Sequence, residues 1–321
     1  LSEKASLIGR TGMMLLSCGT GAWRVRSSMN TLSEALGITC SADIGLMSIS
    51  YTCFDGESSF SHALSLTTTG VNTSRLNRLE HFVSDFPAEG IHMSGKALHS
   101  QLDEIERIHG LYSPAALGLA SALACGAFTF LLGGGPLEMI LAFAGAGIGN
   151  AIRCKLGKHH FTLFMCIAVS VSSACLVYAG FLKLAELLFH ISVQHEAGYI
   201  CSMLFIIPGF PFITSGIDLA KLDMRSGLER LAYAIIVVMV AAVSAWLMAL
   251  LLHLKPVDFL PLELSASQRI LFRLLASFCG VFGFSVMFNS PVRLAAAAAF
   301  IGALSNTLRL EFPPPGLQLR S

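Results

Sequence analysis

Two prolines lie inside an apolar stretch of the chain and could create a binding site within a membrane. The stretch GYICSMLFIIPGFPFITSGI contains Pro208, Gly209 and Pro211, followed by the hydroxyl groups of Thr214 and Ser215. Proline lacks an N–H group and interrupts a helix, and lipid cannot pair the backbone groups that are left over. Half-helices at such a break offer N–H groups to a carboxylate and carbonyl groups to an ammonium. We predict a discontinuous helix, non-helical from the first proline to the second, in which these five residues bind substrate; a simple kink is the alternative.

Charged side chains follow this stretch directly. Asp218 and Arg230 lie closest to the flanking apolar runs, where a charge is costly and usually has a function. We interpret them as a gating or charge-balancing pair that would tolerate exchange of its two charges, with two solvated loop charges as the alternative. Between them, Asp223, Arg225 and Glu229 are expected in a solvated loop and paired at helical spacing.

One further carboxylate stands at the edge of an apolar run. Glu138 follows a Gly-Gly-Gly-Pro sequence and opens the second run. Its simplest role is to complement the positive end of a helix dipole. A role in proton coupling is the alternative, so Glu138 is included among the gating or coupling candidates.

No motif in the sequence indicates an enzyme or a bound cofactor. HExxH, CxxC and GxSxG are absent, and the triple glycine lacks the Lys-Ser/Thr of a phosphate loop. A net charge of +1 gives no basic excess for nucleic acid. We therefore predict no catalytic residue, no metal, no cofactor and no nucleic-acid partner, and we expect the nine cysteines to be reduced and structural.

The composition indicates a multi-span membrane protein. Hydrophobic residues make up 54% of the chain and charged residues 13%, whereas a soluble domain has about a quarter charged residues. We predict a soluble α+β domain over 1–113, a five-span transmembrane domain over 114–254 and the start of a second, incomplete membrane half over 255–321. The predicted spans, each near the ~20 residues that cross a bilayer, are 114–132, 136–152, 161–182, 198–214, 228–252, 270–288 and 291–309.

The pattern of apolar residues predicts the helices of the soluble domain. Apolar positions within 7–36 recur at spacings of three, four or seven, which is typical of one amphipathic helix. Gly19 and Gly21 interrupt this pattern, so a kink or two separate helices are expected. Ser74 and Ser94 are predicted to open two more helices.

The same domain contains strand patterns. Residues 38–54 and 58–69 predict two strands. Asp55-Gly56 lies between them and predicts a hairpin, because glycine accepts the positive φ of a tight turn. Together with the helices, these strands indicate an α+β fold.

The distribution of basic residues predicts the orientation in the membrane. Lys and Arg are concentrated in the connections after the second and fourth spans, and the 183–197 connection has only Lys183; the basic residues concerned are Arg153, Lys155, Lys158, Lys221, Arg225 and Arg230. Positive loops face the cytoplasm, so we predict an inner-membrane protein with a cytoplasmic N-terminal domain. The first apolar run comes late, so no signal peptide is expected, and a chain beginning at Leu1 is expected to lack an N-terminal piece.

Three stretches resemble the threonine/serine exporter (ThrE) family. LLSCGTGAWRVR at 15–26 is similar to the family signature LL-x-x-G-x-x-T-x-R-V-E, and RCKL follows the second span. PGFPFITSGIDLAKLDMRSGLERL at 208–231 resembles the family's Pro-Gly, Asp, Gly-Asp and Ser-Gly-x-x-Arg pattern. The resemblance covers about 6–254, and 268–310 looks like the opening of the family's second half.

The resemblance implies export of threonine and serine, driven by the proton-motive force, with Arg24 coupling the soluble domain to the membrane. In members with separate halves the substrate is a small dicarboxylate such as succinate, so a second membrane subunit or a homo-oligomer is an implied alternative. Ala22 stands where the family has Thr, and Arg26 where it has Glu, which puts the role of that carboxylate in doubt here. A membrane-embedded hydrolase that uses the soluble domain is the remaining alternative.

Overall fold

A computed structural model describes residues 1–108, 110–190, 195–254, 258–260 and 262–312. Within these residues the chain forms eleven α-helices and three strands, and it divides into two compact units. The first unit combines Leu1–Gly110 with Pro208–Ile236, and the second combines Leu111–Ile207 with the described residues from Val237 onward. The first unit is discontinuous because the chain after Pro208 packs with the N-terminal residues, and the domain boundaries at 113 and 254 stay a prediction.

Four helices belong to the N-terminal part of the first unit: α1 (Ser2–Ser17), α2 (Ala22–Ala35), α3 (Thr73–Asp85) and α4 (Gly95–Glu106). The predicted helix over 7–36 is therefore two helices, separated where Gly19 adopts a φ of +81° that other residues rarely accept. Ser94 caps α4, as predicted. Asn72, rather than Ser74, caps α3, with its side chain accepting the N–H of Arg75.

The sheet has three antiparallel strands in the order β1-β2-β3, with β1 at Thr39–Ile44, β2 at Ser48–Phe54 and β3 at Ser59–Ser65. The prediction of one strand over 38–54 is wrong, because the chain turns at Gly45, whose N–H donates to the carbonyl of Ser48. The hairpin at Asp55-Gly56 is confirmed. Gly56 has a φ of +102°, and the Asp55 carboxylate accepts the N–H groups of Glu57 and Ser58.

The core of this part of the molecule lies between one face of the sheet and the helices. Alternate residues of β2, including Ile49 and Tyr51, are buried on that face. Gly9 of α1 lies directly over Tyr51, where a Cβ would come within 2.3 Å of the ring. Close contact between helix and sheet thus gives the N-terminal residues a hydrophobic core of their own.

The chain after Pro208 adds α8 (Gly209–Ala220) and the beginning of α9 (Met224–Leu251) to the first unit. The second unit contains the rest of α9 and the following elements: α5 (Pro114–Leu131), α6 (Pro136–Lys158), α7 (Leu163–Phe189), two 3₁₀ segments (Glu196–Tyr199 and Cys201–Ile206), α10 (Ala266–Met287) and α11 (Val292–Glu311). Because α6 extends to Lys158, the basic residues predicted in a loop lie on its last turns.

Small residues allow the helices of the second unit to pack closely. A Cβ on Gly118 of α5 would come within 2.9 Å of the carbonyl oxygen of Gly147 on α6. Gly126 of α5 lies equally close to α6, at 3.1 Å from the carbonyl oxygen of Met139. The predicted small-residue faces of the first two spans are thus buried between helices.

Five of the described helices, α5, α6, α7, α9 and α10, are long and apolar enough to cross a membrane. The segments Glu196–Ile206 and Gly209–Ala220 meet the same test together, as a broken span or a re-entrant loop. α11, predicted as a seventh span, is not among these helices. Two arginines and Asn306 lower its mean hydropathy.

Candidate functional site

The helix break predicted at the prolines occurs at Ile207 and Pro208. Ile207 is extended, with ψ of 120°, and Pro208 has ψ of 61°, so neither residue continues a helix. Helix α8 then begins at Gly209. The prediction that the chain is non-helical as far as Pro211 is wrong, because Pro211 lies in the first turn of α8, where an N–H group has no intrahelical partner to lose.

The two hydroxyl groups predicted to bind substrate are engaged with backbone carbonyls. Thr214 donates to the carbonyl of Phe210 at 3.0 Å, one turn earlier in α8. Ser215 donates to the carbonyl of Gly227 at 2.8 Å and so joins α8 to α9. Both side chains are buried in the first unit. By contrast, nothing lies within 4 Å of the position that a Cβ would take at Gly209, so this residue faces open space at the break.

Asp218 lies on α8 and is fully buried. Its carboxylate accepts the backbone N–H of Ala22 at 3.1 Å and that of Trp23 at 3.3 Å. These are the first N–H groups of α2, which find no partner within the helix. Ser226 also donates to the carboxylate, at 3.0 Å. Asp218 therefore caps α2, and its charge lies at the positive end of that helix dipole.

Arg230 lies near the start of α9 and binds the residues that precede α2. Its guanidinium donates to the carbonyl of Thr20 at 2.7 Å and to that of Gly19 at 3.2 Å. The Arg230 Nε atom is 3.3 Å from the Asp218 carboxylate, and the Arg230 side chain is 3% exposed. The two residues predicted as a pair are thus in contact.

Together, Asp218 and Arg230 hold the segment 19–23, which we call the GTGAW segment after its sequence. The carboxylate binds its N–H groups and the guanidinium binds its carbonyls. Gly21 permits the close approach, since a Cβ there would lie 2.8 Å from the Asp218 carboxylate. A displacement of α8 relative to α9 would therefore break hydrogen bonds at the start of α2.

Arg24, predicted to couple the soluble domain to the membrane, has different partners. Its guanidinium lies 2.5 Å from the Glu80 carboxylate of α3 and above the ring of Trp23, at 5.1 Å from the centroid. The ammonium of Lys221, at the end of α8, lies over the same ring at 5.3 Å. Arg24 thus joins α2 to α3, and its link to α8 is indirect, through Trp23.

The two departures from the family signature have structural consequences. Ala22 is fully buried and contributes its N–H group to Asp218. Arg26 forms an ion pair with Asp223 and donates to the carbonyl of Ala42 at 2.8 Å. Asp223 was expected in a solvated loop, but its side chain is only 15% exposed. In this chain the arginine is therefore part of the connection between α2 and the turn that precedes α9.

Restoring the family residue with Arg26→Glu should therefore weaken the protein. Two carboxylates would then face each other, and the bond to the Ala42 carbonyl would be lost. We expect a cost of about 1 kcal/mol, measured as a lower thermal unfolding temperature of the purified protein. Arg26→Glu with Asp223→Arg should recover the part of the loss that comes from the ion pair, but not the bond to Ala42, and an Arg26→Glu protein as stable as the wild type would contradict this account.

Arg225 and Glu229 lie on the first turns of α9 rather than in a loop. Their predicted pairing at helical spacing is confirmed, with 3.1 Å between Nε and the carboxylate. Arg225 also pairs with Asp43 of β1. The Glu229 carboxylate accepts the N–H of Leu46, in the turn after β1, at 2.6 Å. The start of α9 is thus joined to the sheet as well as to α2.

Glu138 lies in the second unit and is described separately. It is in the first turn of α6 with 2% of its side chain exposed, and its Oε1 atom is 2.7 Å from Nδ1 of His195. Tyr178 of α7 donates to the backbone carbonyl of His195 at 2.7 Å. The expectation that Glu138 serves only the helix dipole is therefore incomplete, because the carboxylate has a titratable partner.

Two residues that bind the candidate residues, Ser226 and His195, were not identified from the sequence. Ser226 binds both Asp218 and Arg230, and its spacing of four residues from the arginine was the available signal. His195 lies 57 positions after Glu138 in the chain, beyond the rest of α6 and all of α7, and nothing in the local sequence indicated the pairing. Among the described residues, no group of three or more His, Cys, Asp or Glu side chains could hold a metal ion.

Comparison with known proteins gives one match. A family model described as "Putative threonine/serine exporter" (ThrE) matches residues 6–253. The matched region includes the GTGAW segment, the break at Pro208, the Asp218–Arg230 pair and Glu138. No curated protein and no solved structure matches the chain.

Proposed function

Because the chain belongs to the threonine/serine exporter family, we propose that it exports threonine and serine across the inner membrane in exchange for protons. The family match carries this proposal, since it extends over every candidate residue named above. A family of transporters also fits a protein whose activity involves no catalytic residue.

We place the substrate at the N-terminal end of α8, at Pro208 and Gly209. Gly209 faces open space there, and the N-terminal end of α8 carries partial positive charge that suits an amino-acid carboxylate. In this proposal the substrate binds backbone groups at Pro208 and Gly209, because the Thr214 and Ser215 hydroxyls already bind backbone carbonyls. Pro211 lies in the first turn of α8 and fixes its backbone.

Contacts between distant residues support a full membrane crossing by the broken segment. Arg230, near the start of α9, bonds to Thr20, and the described residues between Thr20 and α5 include no helix that is long and apolar enough to span a membrane. With one crossing for each of the span-capable helices α5, α6 and α7, α9 begins on the N-terminal side only if 196–220 crosses as well. A second contact leads to the same conclusion. The N–H of Leu111, before α5, donates to Asn289, after α10, at 2.6 Å. The two residues lie on the same side of the membrane only if the broken segment adds a sixth crossing to those of α5, α6, α7, α9 and α10.

We propose that the N-terminal side is the cytoplasm. The basic residues at the end of α6 and between α8 and α9 lie on that side in the crossing order above, as the positive-inside rule requires. Threonine and serine would then enter the break from the cytoplasm and leave on the opposite side.

This orientation predicts a labelling pattern in intact cells. We expect Glu57→Cys, in the exposed turn after β2, to be protected from a membrane-impermeant maleimide, and Glu263→Cys, before α10, to react. Native Cys18 is a poor reporter because it is buried, and burial raises the pKa of its thiol to about 11, while the thiolate is the reactive form. The reverse pattern, with Glu57→Cys labelled and Glu263→Cys protected, would mean an inverted topology.

The two prolines should differ in importance for transport. Pro208→Ala should lower efflux strongly, because alanine can continue a helix from the 3₁₀ segment through the break. Pro211→Ala should have a small effect, because residue 211 is already helical. Threonine efflux at matched membrane expression compares the two variants, and equal activity of Pro208→Ala and wild type would show that the break has no role in transport.

The direct test of the proposed function is threonine efflux. Cells preloaded with a threonine-containing dipeptide should release threonine faster with this protein than without it. The same assay with serine and with succinate defines the substrate class. Efflux of succinate alone would replace the amino-acid proposal with the dicarboxylate alternative, and no change for any substrate would contradict transport by this chain.

A further inference from the structure

Among the described residues of the second unit, the Glu138–His195 pair is more enclosed than the Arg273–Glu311 pair. Glu138 Oε1 and His195 Nδ1 are 2.7 Å apart, with side chains 2% and 15% exposed. Intramembrane ionisable groups are costly and usually functional. Neither residue takes part in the contacts around the GTGAW segment or at the break, so the pair has no role in the site described so far.

The neighbouring side chains that interact with the Glu138–His195 pair are a phenol and thiols. Tyr178 of α7 and Cys201 of the 3₁₀ segment lie close enough to interact electrostatically with Glu138, and Cys125 of α5 lies beyond Cys201. Phenols and thiols are ordinarily uncharged at neutral pH. The carboxylate and the imidazole, 2.7 Å apart, are therefore the two groups of this cluster between which a proton can pass directly.

The location of the pair suits proton entry. Glu138 is in the first turn of α6, and His195 follows α7 and precedes the 3₁₀ segments. In the crossing order given above, both residues lie at the membrane face opposite the basic end of α6. For an exporter driven by protons, this is the face from which protons enter.

We propose that Glu138 and His195 form the proton-binding site that couples proton entry to export, an inference that rests on the proposed function. The pair holds one proton at rest. A second proton, taken from the outer face, leaves a neutral carboxyl group opposite an imidazolium and removes their charge attraction. Release of that proton to the cytoplasmic side restores the resting pair, so one proton moves inward per cycle with no bond to substrate.

Proton binding reaches the substrate site through a short connection. His195 immediately precedes Glu196–Tyr199 and Cys201–Ile206, which lead to the break at Pro208. Tyr178 fixes the backbone of His195, and Gly198 packs on the phenol, where a Cβ would lie 2.1 Å from its oxygen. Loss of the charge attraction frees this segment to move, while the resting pair holds it against α6.

The test uses the full chain in liposomes and compares Glu138→Gln with Glu263→Gln, the same change on an exposed residue before α10. Glu138→Gln should keep threonine exchange at equal pH on both sides, which needs no net proton movement, and lose the stimulation of net transport by a pH gradient. Glu263→Gln should keep both. Loss of both activities in a folded Glu138→Gln protein, or retention of both, would overturn the proposal.

A second measurement does not require threonine. Infrared difference spectra between neutral and acidic pH should contain a narrow band from a protonated, buried carboxyl group that Glu138→Gln removes and Glu263→Gln leaves. Persistence of that band in Glu138→Gln, or its absence from wild type, contradicts proton binding at Glu138 whatever the transport result. Conversely, a Glu138 band in a protein that exchanges no threonine leaves the proton site standing and refutes the proposed substrate.

Discussion

Asp218→Asn is expected to reduce threonine efflux by at least about tenfold and to lower the thermal unfolding temperature of the purified protein. The change leaves the Arg230 guanidinium buried opposite a neutral group, and removing one partner of a buried ion pair costs about 3–5 kcal/mol. It also weakens the cap on α2, worth about 1 kcal/mol. Arg230→Gln should have a comparable effect, since it deprives the Gly19 and Thr20 carbonyls of their donors.

Exchanging the charges with Asp218→Arg and Arg230→Asp should not rescue function. A pair held by mutual attraction alone would tolerate the exchange, and the sequence favoured that view. The structure gives each charge a second role, because residue 218 faces the N–H groups of Ala22 and Trp23 while residue 230 faces carbonyls. Exchange would place a cation against donors and an anion against acceptors. Substantial recovery of efflux in the exchanged variant would show that hydrogen bonds to the GTGAW segment are unimportant.

Arg225→Gln is the matched control for Arg230→Gln. Arg225 lies on the same helix and has carboxylate partners, but its side chain is 50% exposed. Pairs at such exposure contribute about 0–1 kcal/mol, so Arg225→Gln should cause a small shift in unfolding temperature. Equal losses in Arg225→Gln and Arg230→Gln would indicate that burial does not distinguish the two arginines.

Local patterns in the sequence predicted the local features of this fold. Glycines at 19 and 21 indicated the division between α1 and α2, and Asp55-Gly56 indicated the second hairpin. The first hairpin was missed because its turn contains Gly45, Leu46 and Met47, which read as a continuation of an apolar strand. Turn chemistry there depends on one glycine, without the Asn-Gly or Asp-Gly pair that marks a tight turn.

Contacts between distant residues were only partly predictable. The high cost of a buried charge singled out Asp218 and Arg230, which are buried and in contact, yet the role of Asp218 as the cap of α2 joins residues 196 positions apart. The hydroxyl groups of Thr214 and Ser215 bind the carbonyls of Phe210, one turn earlier, and of Gly227 on α9. No local sequence pattern indicates that these hydroxyls are already engaged. The partner of Glu138 likewise follows from how α6, α7 and the 3₁₀ segments pack.

The packing of α6 predicts opposite outcomes for the same substitution at two glycines. A Cβ on Gly145 would lie 2.8 Å from the carbonyl oxygen of Ala174 on α7 and 2.9 Å from Cβ of Ser202. The first contact atom belongs to the backbone and the second is a Cβ fixed to it, so neither can rotate away. Gly145→Ala must therefore separate α6 from its neighbours, at a cost of about 1–3 kcal/mol.

Gly180 of α7 provides the control, since nothing lies within 4 Å of an added Cβ there. Gly180→Ala should stabilise the protein by up to about 1 kcal/mol, because alanine is the better helix former. Thermal unfolding in detergent should thus show Gly145→Ala below wild type and Gly180→Ala at or above it. Efflux should fall in Gly145→Ala alone, because Ser202 lies in the 3₁₀ segment that leads to the break at Pro208. Shifts in unfolding temperature of the same sign and size at both positions would mean that the close contact of α6 with that segment does not determine the stability of the protein.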